Sequence, residues 1–235
     1  MRFAITLVLP AMLAAWPATA QGVFNMGGLT QTLTIPTAPV EARQARDRGA
    51  FRQALRPRPR AAAPVQVSRS VAAFRRDPAL TMQVQRRYIQ RFNDPKLRAD
   101  VTQNLQGVTP KFVAAMRAVG LDYNNVADAQ AAYIVTVWQA TLGDYLDNPA
   151  QFQAVARQMA FGFSQAGLGR VSNATKQEMA ETVIYDAMFI AGLFKDAKTD
   201  PTLKRWVANY AARGLKTHFG LDAKTLRMTS AGLQA

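Results

Sequence analysis

The stretch N-N-V-A-D-A-Q-A-A-Y-I-V-T-V-W-Q-A, Asn124 to Ala140, decides the fold. After Asp128 no charge occurs until the chain has passed Gly143. Val126, Ala129, Tyr133, Val137 and Leu142 recur at helical spacing, with Ile134, Val135 and Trp138 beside them. Such a run is too long for a strand and too apolar for a surface helix, so it reads as a helix surrounded by others. Asn124 or Asn125 supplies the cap oxygen for orphan backbone N–H groups. Asp128 falls at N3 behind Asn125, where a carboxylate reaches back to the cap N–H as Glu does in a capping box. Asn125 and Asp128 are therefore read as a structural cap. They would equally suit the rim of a polar site, and that alternative stays open at this point.

Outward from this helix the punctuation repeats. Asp77-Pro78, Asp94-Pro95, Thr109-Pro110, Asn148-Pro149 and Asp200-Pro201 each place a capping side chain before a proline, whose missing N–H costs nothing at N1. Ser172 marks a further start. The expectation is about seven helices, over 78–92, 95–106, 110–118, 125–146, 149–165, 173–198 and 201–217. Gly107, Gly120 and Gly220 stand where stops belong. The segment V-I-Y-D-A-M-F-I-A-G-L-F, Val183 to Phe194, is apolar nearly all round and makes a second central helix. The others carry single stripes, such as Leu80/Val84/Tyr88/Phe92. The fold class is all-α, an irregular orthogonal bundle, in a helical domain spanning 77–235.

The N-terminus differs. Arg2, an apolar run from Phe3 to Trp16, and Ala18-Thr19-Ala20 before Gln21 form the pattern of a cleaved secretory signal peptide over 1–20. Pro10 and Pro17 argue against a membrane anchor, and no later segment has the roughly 20 apolar residues a spanning helix requires. The expected location is periplasmic or secreted. The chain has no cysteine, which excludes thiolate nucleophiles, thiolate metal sites and disulfides.

The net charge of +14 sits in one region. Glu41 to Arg98 contains 15 basic and 4 acidic residues, whereas Ala99 to Ala235 contains 13 and 11. Residues 21–76 hold Pro36, Pro39, Pro57, Pro59 and Pro64, R-P-R-P-R at Arg56 to Arg60, and few large apolar side chains. A segment of that composition buries too little to offset its ordering entropy and reads as a flexible or extended arm. Within it, L-T-Q-T-L-T-I, Leu29 to Ile35, has the period of a short strand and would pair with Thr225 to Thr229. The arm serves either as a solubilising linker or as an electrostatic grip on an anionic envelope component or an acidic partner protein, through Arg52, Arg56, Arg58 and Arg60. Only Phe51 and Phe74 interleave these cations, which argues against a nucleic-acid partner.

Candidates for chemistry are few. His218 is the single histidine, so no paired-His metal motif exists, and its place near the end of the last long helix suits the dipole. Glu178 and Glu181, three apart, share a helix face. With Asp186, they are the acids available for a glycan or peptide hydrolase. Their bland reading is favourable placement in the first turns of a helix and, for Asp186, a buried contact with Tyr185 or a nearby Arg. Gly167-Leu168-Gly169 is half of a dinucleotide fingerprint, with Ser172 in place of the third glycine. Neither a cofactor nor a metal is expected.

G-L-D-Y-N-N-V-A-D-A-Q-A-A-Y (Gly120 to Tyr133), Trp138 and K-Q-E-M-A-E (Lys176 to Glu181) together resemble an uncharacterised family of exported bacterial helical proteins, a domain of unknown function. The resemblance covers Pro78 to Leu233 and not the arm. It implies export and a helical domain, and it supplies no catalytic residues. The functional expectation is an exported, non-enzymatic helical protein that binds a partner or ligand, with a basic arm at an anionic envelope surface. The alternative is an envelope hydrolase using Glu178, Glu181 or Asp186.

Overall fold

The computed structural model describes residues 68–143, 148–229 and 231–234. The signal segment, Leu29 to Ile35 and Arg52 to Arg60 lie outside the described residues. Among the described ones there are six α-helices: α1 (Pro78–Ile89), α2 (Pro95–Ala118), α3 (Val126–Leu142), α4 (Pro149–Gln165), α5 (Asn173–Asp196) and α6 (Pro201–Gly214). A 3-10 turn, Arg69–Ala72, precedes them, and a π turn, Leu215–Phe219, prolongs α6. The short strands β1 (Arg227–Thr229) and β2 (Gly232–Gln234) form an antiparallel hairpin.

The helices begin where the capping residues place them. Asp77, Asp94, Asn148 and Asp200 each accept N–H bonds from the first turn, with proline at N1. Ser172 accepts from the N–H of Thr175 at the head of α5.

The count is six and not seven because Thr109-Pro110 starts nothing. Helix α2 runs through it, with Pro110 inside. Leu97, Val101, Leu105, Val108, Phe112 and Met116 form one unbroken buried stripe along both halves. Each buried side chain of this kind contributes roughly 1.5–3 kcal/mol, against about 3 kcal/mol for an interior proline. Pro110, Gln106 and Gly107 are exposed, so the carbonyl that proline leaves unpaired faces solvent. Gly107 accordingly ends nothing.

Helix α3 is the axis of the domain. Every residue from Val126 to Ala140 is buried, and α4, α5 and α6 pack around it. It stops earlier than its composition suggests, because Gly143 takes a left-handed φ of 71°. The C-terminal hairpin closes one side: Trp138 Nε1 donates to the carbonyl of Leu226 at 3.1 Å. Within the hairpin Met228 stands opposite Leu233, and the expected pairing with residues 29–35 lies outside the described residues. The outward backbone groups of Leu233 are taken by one side chain of α4. Its N–H donates to Gln158 Oε1 at 2.8 Å, and Gln158 Nε2 donates to its carbonyl at 3.2 Å.

Candidate functional site

The folded body begins by Ser68, nine residues before the expected domain boundary. Residues 68–77 form a strap across the heads of α3 and α5. Ala72 is fully buried and Phe74 nearly so. The Phe74 N–H donates to the Asn124 carbonyl at 3.0 Å, and Ala73 bridges to Asn125 in antiparallel fashion. After Pro64 the sequence has no proline until Pro78, which allows this stretch to settle on a surface as the R-P-R-P-R segment does not.

Two arginines pin the strap, and both meet acids that are fully buried. At one end Arg69 pairs with Asp128 through Nε and Nη2, and its guanidinium also donates to the Gly120 carbonyl. Asp128 therefore does not reach back to the Asn125 N–H, which bonds the Asp122 carbonyl instead. Its second oxygen accepts the Asp122 N–H at 2.7 Å and so ties the preceding turn to α3. Asn125 works on both sides. Its Oδ1 accepts from Ala127 and Asp128, capping α3, while its Nδ2 donates to the Arg69 carbonyl at 2.9 Å.

At the other end Arg76 Nη1 lies 2.6 Å from Glu181 Oε1, and its Nε donates to Asn124 Oδ1. The guanidinium carbon stands 3.8 Å from the centre of the Tyr123 ring, a cation–π contact in a desolvated setting. Glu181 Oε1 also accepts from Thr81 Oγ1 and Gln177 Nε2. Gln177 accepts the Asp77 N–H and donates to the Asp77 carbonyl, both at 2.7 Å. Lys176 Nζ donates to the Val71 carbonyl at 2.9 Å. Burial pushes the carboxyls of Glu181 and Asp128 above their ordinary range, against the opposing pull of their hydrogen bonds and arginines. It likewise raises the phenols of Tyr123 and Tyr185, which stay neutral. Glu181 Oε2, Arg76 Nη2 and the Tyr123 hydroxyl are buried without a protein partner.

This constellation is a clasp built from charge-assisted bonds, and its ligand is the chain's own strap. It does not present an acid to a cleft. Glu178 and Glu181, three residues apart on α5, have different surroundings: Glu181 is fully buried, while Glu178 is partly exposed and pairs with Arg87 at 3.1 Å. Asp186 was expected to be buried. It is partly exposed and lies 3.7 Å from Arg91. An apolar cleft between α2 and α5, lined by Val101, Leu105, Val108, Met188 and Phe189, contains none of these acids. His218 falls in the π turn. Among the described residues no cluster of three or more His, Asp or Glu side chains is placed to hold a metal, and no helix is long and apolar enough to cross a membrane.

Sequence reasoning misses Arg69 and Arg76, and it marks Lys176 and Gln177 only as part of K-Q-E-M-A-E. The available signal was the pair Ala72/Phe74 in a proline-free stretch beside cations, opposite two motifs containing buried-type acids. The clasp gives those motifs their common purpose: Asn124, Asn125 and Asp128 come from one, and Lys176, Gln177 and Glu181 from the other.

No curated protein and no solved structure matches this chain. A family model does, and it extends over the arm as well as the helices, further than the resemblance confined to Pro78–Leu233. With residues 2–235 matched, the chain belongs to a family of unknown function, DUF6683.

Proposed function

We propose that the protein is an exported, non-enzymatic helical module that carries a basic arm to an anionic envelope component or partner, in the periplasm or outside the cell. One observation carries this reading. The acids that a hydrolase would need are already engaged with arginines, Glu181 in a sealed interior and Glu178 and Asp186 at the surface. The strap adds a mechanical rationale. Force or attachment at the arm passes directly into α3 and α5 through Arg69 and Arg76, so an arm held by a partner holds the domain as well. Seven arginines between Arg43 and Arg60, against Glu41 and Asp47, supply the charge.

The test is retention of the full chain on heparin and on anionic vesicles at low salt. Replacing Arg52, Arg56, Arg58 and Arg60 with Gln should shift elution to markedly lower salt at an unchanged melting temperature. Unchanged elution would refute the arm's role. A deletion of the arm, used as a second variant, must stop at residue 67, because removing 68–76 would unfasten the clasp and confuse lost binding with lost folding. Expression with residues 1–20 intact, followed by N-terminal sequencing, tests export: a mature chain starting at Gln21 supports it, and an intact Met1 in the cytoplasm overturns it.

A further inference from the structure

Helix α6 and its π turn, Pro201 to Phe219, carry Lys204, Arg205, Arg213 and Lys216, all exposed, and no Asp or Glu. Asp200, just before them, is occupied as the cap, accepting from Thr202 and Leu203. Leu203, Val207 and Ala211 face the core. At 100° per residue, Arg205, Asn209 and Arg213 then share the opposite face. Along its flank run Trp206 and Tyr210, both half-buried, with rings stacked at 5.3 Å and 13°. Tyr210 is held from inside by Phe189, at 6.4 Å edge to face. On the other flank, where Lys204 crosses Gly143 at the end of α3, Leu142 stands 51% exposed.

We infer that this outer face of α6 docks on an anionic phospholipid surface. The face is formed by one helix, which suits a planar partner. Its cations are complementary to acidic headgroups, and none is neutralised by an acid on the same helix. A rigid Trp–Tyr pair and a leucine at the margins are the side chains that settle at the headgroup boundary of interfacial helices. This contact belongs to the folded body and is independent of the arm. Lasting attachment of a peripheral protein takes two such signals, and arm and helix would supply one each.

The experiment uses the full chain, vesicles of phosphatidylcholine with about one third phosphatidylglycerol, and about 0.1 M salt, where headgroup attraction is screened beyond roughly 10 Å. Arg205→Glu/Arg213→Glu/Lys216→Glu should weaken co-sedimentation by about 10-fold or more while the arm remains intact. Brominated phosphatidylglycerol should quench tryptophan fluorescence in the parent chain, and Trp206→Phe should remove most of that quenching. Arg205→Gln/Arg213→Gln, a milder change at exposed positions, should weaken binding in the same direction if the triple variant proves unstable by melting. Binding that survives the α6 changes but is lost when Arg52, Arg56, Arg58 and Arg60 become Gln overturns the α6 assignment and leaves the arm reading standing. The reverse result keeps α6 and removes the arm. Retention on heparin or nucleic acid without vesicle binding overturns the lipid assignment.

Discussion

The strap and helix α1 follow each other along the same side of α5, and each offers it arginines. The outcomes differ sharply. The strap's Arg76 meets a Glu181 side chain with no solvent exposure at all. Arg87, with a side chain 53% exposed, meets a Glu178 side chain that is 32% exposed. These acids stand only three residues apart on one helix. A pair open to water is screened and contributes roughly 0–1 kcal/mol. A pair with one buried member contributes little more to net stability than it costs to desolvate, yet losing one partner costs several kcal/mol because the other is stranded. Burial, and not the pairing of opposite charges, separates a fastening from an ornament on this helix.

Breaking that difference should start with Arg76→Ala. It strands Glu181, and we expect a loss of about 3 kcal/mol at pH 7, read by denaturant unfolding. The loss should shrink as pH falls and the raised Glu181 carboxyl takes up a proton. A pH-independent loss would mean that Arg76 acts by packing alone. Asn125→Ala removes both the α3 cap and the bond to the Arg69 carbonyl and should cost about 2 kcal/mol. Lost partner binding at unchanged stability would instead restore Asn125 as part of a site.

The pH response has a definite sign. Glu181, Asp128 and Asp196 titrate higher in the folded chain than in the unfolded one, so ionising them is harder in the folded state. Their contribution to stability is therefore worst at neutral pH and improves as pH falls through the raised values. Asp196 is the clearest case, raised by burial to about 6 against the pull of Lys195. It also stands at the C-terminal end of α5, where a negative charge opposes the dipole. Asp196→Asn should stabilise by about 1 kcal/mol at pH 7, after allowance for its partial exposure. The gain should fade between pH 6 and 4. A thermal melt series across that window decides it, and a loss at pH 7 would contradict the argument. Smallest of all, Glu178→Ala should stay within about 0.5 kcal/mol of the parent. A cost near that of Arg76→Ala would collapse the distinction between the two regions.

Much of the helical body was legible because its starts are written in short-range chemistry: Asp or Asn before Pro, Ser172 before Asn173. The all-buried character of α3 was equally plain from Val126 to Ala140. What failed was a competition between local and distant terms. Thr109-Pro110 carries a start signal, but the stripe from Leu97 to Met116 overrides it through contacts with α5 that are not visible in the segment itself. The clasp was half legible. Asn125 and Asp128 declare themselves polar in an apolar setting, but their partner Arg69 lies 56 and 59 residues away, and Arg76 lies 105 residues from Glu181. Pairing over such distances follows from tertiary packing, and the arginines look alike until two of them are seen to meet buried acids. Asp186 departs from its sequence reading for a related reason: an apolar helix reads as covered on every side, and α5 leaves one edge open.

The single amide of Gln158 has a consequence at the far end of the chain. A two-stranded hairpin offers unpaired backbone along its rim, the kind of edge on which a second molecule can add a strand and begin a polymer. Gln158 fills the place of that missing strand at Leu233, donor against acceptor and acceptor against donor. A glutamine on a helix thus acts as a stopper against self-templating, and exchanging it for alanine would leave the terminus open to recruit its own copies.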